Sequence, residues 1–406
     1  MIDINLLREN SDLVKTALAK REVDLDIDKI STLDKSKREL LQIVEGLRAE
    51  KNKLSSGKIE DIKKAREVKN QLKIKEQELG IAEEEFNKLF SLIPNIPLDD
   101  VPEKEFEIIR QYGKPTDFGF KVKNHLEIGE NLDLIDAERA AKISGSRFGI
   151  LKNQAVLLEF ALARFAMDNI LKQGFIPVIP PVLLKEEMMR KMGYIDTKED
   201  LEERYFFEKD NLFLAGTSEQ MIGPMHADEI LSDLPKRYLS FSTCFREEAG
   251  SYGKDTKGIF RVHQFDKLEM FSFAKAGDSK KELEFLLNIQ EDLVKKLKLP
   301  YRVVHLPAND IARPSASTYD IETWIPSQEK YRETHSASNC TDFQARRLNI
   351  KYKEGSKADF VYTLNATAFA IGRMIIAILE NYQQKDGSVK MPKALHKYLG
   401  FKVIRK

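Results

Sequence analysis

The stretch CFREEAGSYGKDTKGIFRVHQF, residues 244–265, sets two strand-like ends, TCF and IFRVHQF, on either side of a glycine-containing, charged loop. Arg246 opens the loop, Glu247 and Glu248 follow, and Arg261 closes it; Phe265 and Glu269 come four and eight residues later. On a strand, residues two apart share a face. Arg246 and Glu248 then point one way, as do Arg261, Phe265 and Glu269. If the strands pair across the loop, one sheet face carries guanidiniums, carboxylates and an aromatic plate. That density of polar groups is costly in a core sheet unless something satisfies it. Guanidinium forks match phosphate oxygens, a phenyl face suits a purine ring, and Glu248 can accept from an exocyclic amino group. The pattern predicts a nucleotide lying on an antiparallel sheet. Its rival is a structural ion-pair ladder.

Further constellations bear on the same reading. In TLNATAFAIGRMIIAILENYQ, Arg373 is the only charge between Thr363 and Leu379. A lone arginine in a buried helix needs an anion, either a protein carboxylate or a ligand phosphate. The stretch YRETHSASNCTDFQARR adds Glu333, Ser336 and Asn339, oxygen donors of the kind Mg²⁺ accepts. AGTSEQ puts Thr217, Ser218 and Glu219 where a strand enters a helix, and an N-cap role is the ordinary explanation for the hydroxyls.

Composition excludes little but narrows the field. Lysine plus arginine (66) balances aspartate plus glutamate (65) over 406 residues, so any nucleic-acid affinity must be local. MIDINLLRENSDLV has no apolar core of the signal-peptide kind. The longest apolar run, 361–379, is broken by Asn365, Gly372 and Arg373, which predicts a core helix and no membrane association. Cys244 and Cys340 have no CxxC partner, so no zinc and no disulfide framework are expected, and a reducing cytoplasm fits.

The first hundred residues have a different texture. Leu33, Leu40, Leu47 and Leu54 recur every seven residues, with Ile30 and Val44 at partner positions. After Ser55-Ser56-Gly57 a second series runs Ala65, Leu72, Leu79, Phe86 and Ile93, with Val68, Ala82 and Leu89 between. Heptads on both sides of a break predict an antiparallel coiled-coil hairpin over about residues 30–93, each helix roughly 40 Å long. Pro94 and Pro97 stop the second helix. Around the tip, residues 48–75 hold ten basic side chains, Lys58, Lys63, Lys64 and Arg66 among them, against four acidic ones. A basic tip suits phosphate-backbone binding by counterion release. A solvated coiled-coil surface is the alternative.

Beyond residue 104 the chain turns mixed α/β. A buried helix is expected over 153–173, then a proline-rich strand, FIPVIPPVLL, confined to an edge or an interface. Strands follow at YFFE, LFLAGT, YLSFSTCF, GIFRVHQFDKLEMFSF, YRVVHL, YDIETWIP and FVYTLN, with helices near 217–230, 280–297, 342–348 and 366–383. Strands in runs favour an α+β fold, a largely antiparallel sheet flanked by helices. Neither a Walker motif nor GxGxxG is present.

With these motifs in view, the chain resembles the seryl-tRNA synthetases of class II over nearly its whole length. The likeness runs through MIDINLLREN, the hairpin, IPNIP, RAAKISGSRF, GFIPVIPPVLL, TSE, FREEAGSYGKDTKGIFRVHQFDKLE, YDIETWIP, SNCTDFQARR and LNATAFAIGRMIIAILENYQ. It implies a helical tRNA-binding domain over 1–103 and a class II catalytic domain over 104–406. It also implies a homodimer built around the proline-rich segment, ATP, Mg²⁺, L-serine and a serine tRNA, with a selenocysteine tRNA as a second candidate. Carried over by position, Thr217, Ser218 and Glu219 would hold the serine ammonium, Glu269 and Thr367 its hydroxyl, and Asn365 would line the pocket. Arg246 would bridge the serine carboxylate and the α-phosphate. Phe265 would stack on adenine, with Glu247 and Glu248 beside it. Arg261 and Arg373 would hold the terminal phosphates. The run Glu333, Thr334, His335, Ser336 would follow the ATP, with Glu333 and Ser336 on Mg²⁺.

Departures are confined. Ala337 stands where many members have Cys, and NATA replaces a common Gly-Ser-Gly, although Thr367 still offers a hydroxyl. In HLPANDIARPSASTYDIE, Asn309 and Ser317 replace a usual Gly and Lys. Two rivals differ in class: an inactive synthetase-like RNA-binding protein, and a ligase that charges a carrier protein. The complete catalytic set argues against the first and the long basic hairpin against the second.

Overall fold

The computed structural model describes residues 1–54, 61–248 and 258–406. The chain divides into two units, Met1–Ile96 and Pro97–Lys406.

In the first unit, helix α1 (Ile27–Leu54) packs along helix α2 (Asp61–Ser91). Val44, Leu72 and Leu79 close an apolar seam with Leu40 and Leu47 against it. Ion pairs Lys29–Glu85 (3.4 Å), Arg48–Glu76 (2.8 Å) and Lys64–Glu50 (3.1 Å) join low numbers on one helix to high numbers on the other, so the pair is antiparallel. These pairs are exposed and contribute about 0–1 kcal/mol each, so the seam rather than the charges holds the helices together. One charge is different. Asp34 is 1 % exposed and accepts from Arg8 Nε and Nη2 (2.8 and 2.9 Å) and from Arg38 Nε (3.0 Å). Those donors hold its carboxyl below the usual range, the Arg8 hydrogen bond first.

The second unit is built on an eight-stranded sheet. Its strands are β1 (Glu107–Tyr112), β2 (Ile176–Val178), β3 (Lys236–Phe245), β4 (Gln264–Ala274), β5 (Tyr301–His305), β6 (Ser317–Ile325), β7 (Lys330–Asn339) and β8 (Tyr362–Ala370). They lie in the order β1-β5-β6-β7-β8-β4-β3-β2. Every neighbouring pair is antiparallel except β2 with β3. The proline-rich β2 occupies the edge, where a residue without an N–H costs no ladder bond. Helices α3 (Gln154–Ile170), α5 (Ser279–Lys296) and α6 (Ile371–Asn381) share one core with Leu268, Met270 and Ala274 of β4. Phe271 and Phe273, of opposite parity, enter a second cluster with Met192 and Ile222. Lys267 and Glu269 have that second parity, so the face that is apolar at 271 and 273 becomes polar four residues earlier.

Three boundaries differ from the sequence expectation. The strand expected from Gly258 begins only at Gln264, which pairs with Phe245, the last residue of β3. Arg246, Glu248 and Arg261 therefore lie outside the strands, and the alternation argument does not apply to them. The helix expected over 366–383 starts at Ile371, because Ala366, Thr367 and Phe369 pair with Met270, Glu269 and Leu268 across the β4–β8 ladder. Ladder partners override the helix propensity of alanine. The helix expected over 217–230 is a single turn, α4 (Glu219–Ile222), continued as a 3₁₀ turn Gly223–His226 that contains Pro224.

Candidate active site

The polar patch on β4 opens into two adjoining cavities. One, of about 420 Å³, is lined by Tyr194, Thr217, Glu219, Glu269 and Asn365 among others. The other, of about 60 Å³, is lined by Phe260, Phe265, Thr334 and Arg373 among others. Arg246, Glu248, Arg261, Lys267, Glu333 and Thr367 line both. A ligand with an anionic centre at the junction would meet most of the cations at once.

Backbone links across the loop ends set the arginines. Arg246 N donates to His263 O at 3.0 Å, and His263 Nδ1 lies 2.9 Å from Arg246 O. Arg246 Nε donates to Gly216 O at 3.1 Å, and its guanidinium sits 5.4 Å from the Phe265 ring centre. Glu248 adopts φ of 54°, a left-handed conformation uncommon outside glycine, and its Oε2 accepts from Arg261 Nη1 at 2.7 Å. Arg261 thus reaches Glu248 through a turn rather than along a strand.

The larger cavity is strongly charged. Lys267 Nζ lies 2.7 Å from Glu269 Oε2 and donates to Thr217 Oγ1 at 3.1 Å. Burial raises the Glu269 carboxyl, Lys267 pulls it back, Glu219 raises it again, and the result is about 7. Tyr194 donates its hydroxyl to Glu219 Oε1, while Glu219 Oε2, buried, has no hydrogen-bond partner among the described residues. That unpartnered acceptor faces a site suited to a ligand donor such as an ammonium group.

At the other end, Arg373 pairs with Glu333. Glu333 has a side chain 49 % exposed, and Arg373 and Arg246 hold its carboxyl below the usual value. Across the β6–β7 ladder Asp320 stands directly opposite Ser336. Asp320 Oδ1 is buried with no hydrogen-bond partner among the described residues, and burial together with Glu333 pushes this carboxyl well up. Oxygen donors with an unsatisfied buried carboxylate fit a hard divalent cation. No group of three or more His, Cys, Asp or Glu side chains placed to hold a metal occurs among the described residues, so ligand phosphates would have to complete the shell.

Several sequence-predicted residues face elsewhere. The Ser218 hydroxyl is buried against Ser240 and lines neither cavity. The Glu247 carboxylate lies by Tyr205, whose hydroxyl is pushed up by burial and by that charge. The His335 ring is buried against Phe369, burial lowers it to about 3, and the residue lines neither cavity. Arg373 is 19 % exposed along its side chain, at the rim rather than in the core. Lys63, Lys64 and Arg66 lie on α2, exposed, with Lys64 paired to Glu50. Lys58 lies outside the described residues. The divergent loop after β5 is tied at its ends by His305 Nε2 and Ser317 Oγ, 3.0 Å apart, and brings Ala312 and Ser315 to the larger cavity.

Sequence reasoning missed Lys267, Tyr194, Arg204, Asp320 and Phe260. Lys267 was within reach, since it lies two residues from both Phe265 and Glu269 on one strand. Tyr194 and Arg204 come from a distant segment with no pattern of their own. Phe260, under the guanidiniums of Arg332 and Arg373 at 4.1 and 5.0 Å, was hidden by the wrong strand boundary.

Comparison with known proteins bears on the family and the fold. Residues 1–97 match the seryl-tRNA synthetase N-terminal domain, and residues 205–382 match the class II core domain of tRNA synthetases for G, H, P, S and T. A serine–tRNA ligase of Thermodesulfovibrio yellowstonii is 42 % identical over 427 residues, covering 100 % of both chains. That of Clavibacter michiganensis is 44 % identical, covering 98 % of this chain and 97 % of its own. Among solved structures, Pyrococcus horikoshii seryl-tRNA synthetase complexed with ATP has a TM-score of 0.93 at 40 % identity, covering 100 % of this chain and 99 % of its own. The Naegleria fowleri cytoplasmic enzyme, in complex with AMP, has a TM-score of 0.89 at 31 % identity, with the same coverage.

Proposed function

The chain belongs to the seryl-tRNA synthetase family, and from that premise we propose which of its residues carry out each part of the reaction. The protein is an ATP-dependent serine–tRNA ligase of class II. A carboxylate oxygen of serine attacks the α-phosphorus in line, the bond to the bridging oxygen breaks, and pyrophosphate leaves with the electron pair. The terminal ribose hydroxyl of tRNA then attacks the seryl carbonyl carbon, and AMP departs. No protein nucleophile is required. Fixed positive charge offsets charge on the phosphoryl oxygens.

The observation that carries the residue assignment is the row of six side chains shared by the two cavities, with Arg246 at the junction. In this reading Arg246 contacts both the serine carboxylate and the α-phosphate. Thr217 and Glu219 receive the ammonium, Glu269 and Thr367 the hydroxyl, and Asn365 closes the pocket. Phe265 stacks on adenine beside Glu248. Arg261 and Arg373 meet the outer phosphates. Glu333 and Ser336 are the protein donors for Mg²⁺, which when bound would neutralise phosphate charge.

Partners follow from the same reading. A serine tRNA is gripped by the basic end of the α1–α2 hairpin, within a tRNA-binding domain over 1–103; a selenocysteine tRNA is a second candidate. Two copies pair through the edge strand β2 and helix α3, where Ile176, Ile179, Leu157 and Phe160 stand 48, 81, 53 and 63 % exposed. The cytoplasm is the compartment, where aminoacylated tRNA is consumed. No helix among the described residues is long and apolar enough to cross a membrane.

The test is ATP–pyrophosphate exchange with serine, alanine and threonine, followed by charging of total tRNA. Serine should outrun alanine by a factor on the order of 10⁴, because alanine leaves the hydroxyl-binding groups unpaired. Comparable rates with alanine would count against the pocket.

A further inference from the structure

Among the described residues, Lys267 is the one cation that lines both cavities while lying inside a strand. Its side chain is 10 % exposed, and it shares the face of β4 that presents Phe265 and Glu269. Its ammonium forms an ion pair with Glu269 Oε2 at 2.7 Å, a close approach without hydrogen-bond alignment that leaves this oxygen free to accept from a ligand, and it donates to Thr217 Oγ1 at 3.1 Å. Both partners belong to the proposed serine pocket. An ammonium so placed cannot be there for solubility, and a carboxylate buried as deeply as Glu269 (1 % exposed) has a strong tendency to take up a proton.

We infer that Lys267 is a positioning residue for serine recognition: its ammonium keeps the Glu269 carboxylate ionised and fixed as the acceptor for the serine hydroxyl. The inference rests on the assignment of Glu269 and Thr367 to that hydroxyl. Around Glu269 stand Lys267 on its own strand, Thr367 on β8, Glu219 on α4 with Tyr194 behind it, and Cys244 on β3; Arg204 and Arg246 line the same cavity. Among the described residues, Lys267 alone forms an ion pair with Glu269. Burial and Glu219 drive Glu269 towards the neutral acid, and Lys267 is the largest influence opposing them. Removing it therefore raises the carboxyl further. At neutral pH more of the pocket is then protonated, and serine recognition recovers only as pH rises.

The experiment compares wild type, Lys267→Met, Lys267→Gln and Glu269→Gln in serine-dependent ATP–pyrophosphate exchange from about pH 6 to about pH 9. In wild type, kcat/KM for serine is expected to climb through one ionisation near neutrality. In both Lys267 variants that limb moves up by about one unit or more, which raises the serine KM at neutral pH by roughly tenfold. The KM for ATP should change by less than about threefold, a split that loss of folding would not produce. Glu269→Gln is expected to raise the serine KM and erase the limb. If Glu269→Gln does so but the Lys267 variants keep the wild-type limb, or raise both KM values equally, this inference fails and the pocket stands. If Glu269→Gln leaves the serine KM unchanged, the pocket assignment fails and takes the inference with it. Should neither variant fold, Lys267→Arg, which keeps the charge, is expected to retain the wild-type limb and serine KM; a limb moved up by about one unit or more in that variant would overturn the proposal.

Discussion

Arg373 Nη1 lies 3.1 Å from Glu333 Oε2 and 3.0 Å from the carbonyl oxygen of the same residue. One guanidinium thus ties helix α6 to strand β7 at the point where the outer phosphates and a divalent cation are proposed to sit. The pair is self-neutralised without ligand. If Arg373 holds the outer phosphates as proposed, it exchanges part of this contact for phosphate oxygens when ATP binds.

The first prediction follows from that exchange. Arg373→Met should raise the KM for ATP and lower kcat, together costing about 10²-fold or more in kcat/KM, while the KM for serine moves little. Glu333→Gln should show its defect chiefly as a raised requirement for Mg²⁺. Steady-state exchange kinetics at varied ATP and Mg²⁺ check both, and an unaltered ATP dependence in Arg373→Met would remove it from the phosphate site.

The hairpin tip supplies the second. Lys63→Gln with Arg66→Gln should weaken tRNA charging and flatten its dependence on salt, because fewer counterions are released on binding. Lys64→Gln should do less, since Lys64 is already paired with Glu50 at 3.1 Å. Exchange without tRNA should stay at the wild-type rate for all three. Filter binding of tRNA across a salt series reads the slope; an unchanged slope in the double variant would leave the tip as mere surface.

Much of this was legible beforehand, and unevenly so. The hairpin was, because seven-residue spacing and two prolines mark helices and their end without tertiary context. Phe265 and Glu269 were placed on one face by strand alternation, and the ladder with β3 keeps them there. Strand alternation groups Arg246, Glu248 and Arg261 by the wrong geometry: turns, including one at positive φ, bring them together. Thr367 was assigned to a helix because alanine-rich stretches read that way, while its pairing with Glu269 depends on a strand nearly one hundred residues distant. Asp320 opposite Ser336, and Tyr194 behind Glu219, are matters of register and packing that no local pattern announces.

A third prediction concerns acid stability. His335 is fully buried and titrates at about 3 in the folded protein, below its ordinary 6.5 because burial disfavours the charged ring. Between these values the unfolded chain binds a proton that the folded chain does not, so stability falls as pH drops below about 6.5. By about pH 5 the loss attributable to this ring is on the order of 2 kcal/mol. His335→Phe should be less stable near neutrality yet show a shallower fall towards pH 5. Urea unfolding at a series of pH values measures it; parallel curves for the two proteins would rule the ring out as a source of acid sensitivity.

The central claim is that one residue, Arg246, serves both halves of the site, and serine-dependent ATP–pyrophosphate exchange by Arg246→Ala tests it most directly. Wild type should exchange briskly, and only with serine present. The variant should keep its secondary structure and quaternary state, yet lose exchange by about 10²-fold or more, with both the serine and the ATP dependence impaired. Ordinary exchange by a well-folded Arg246→Ala protein would contradict the account.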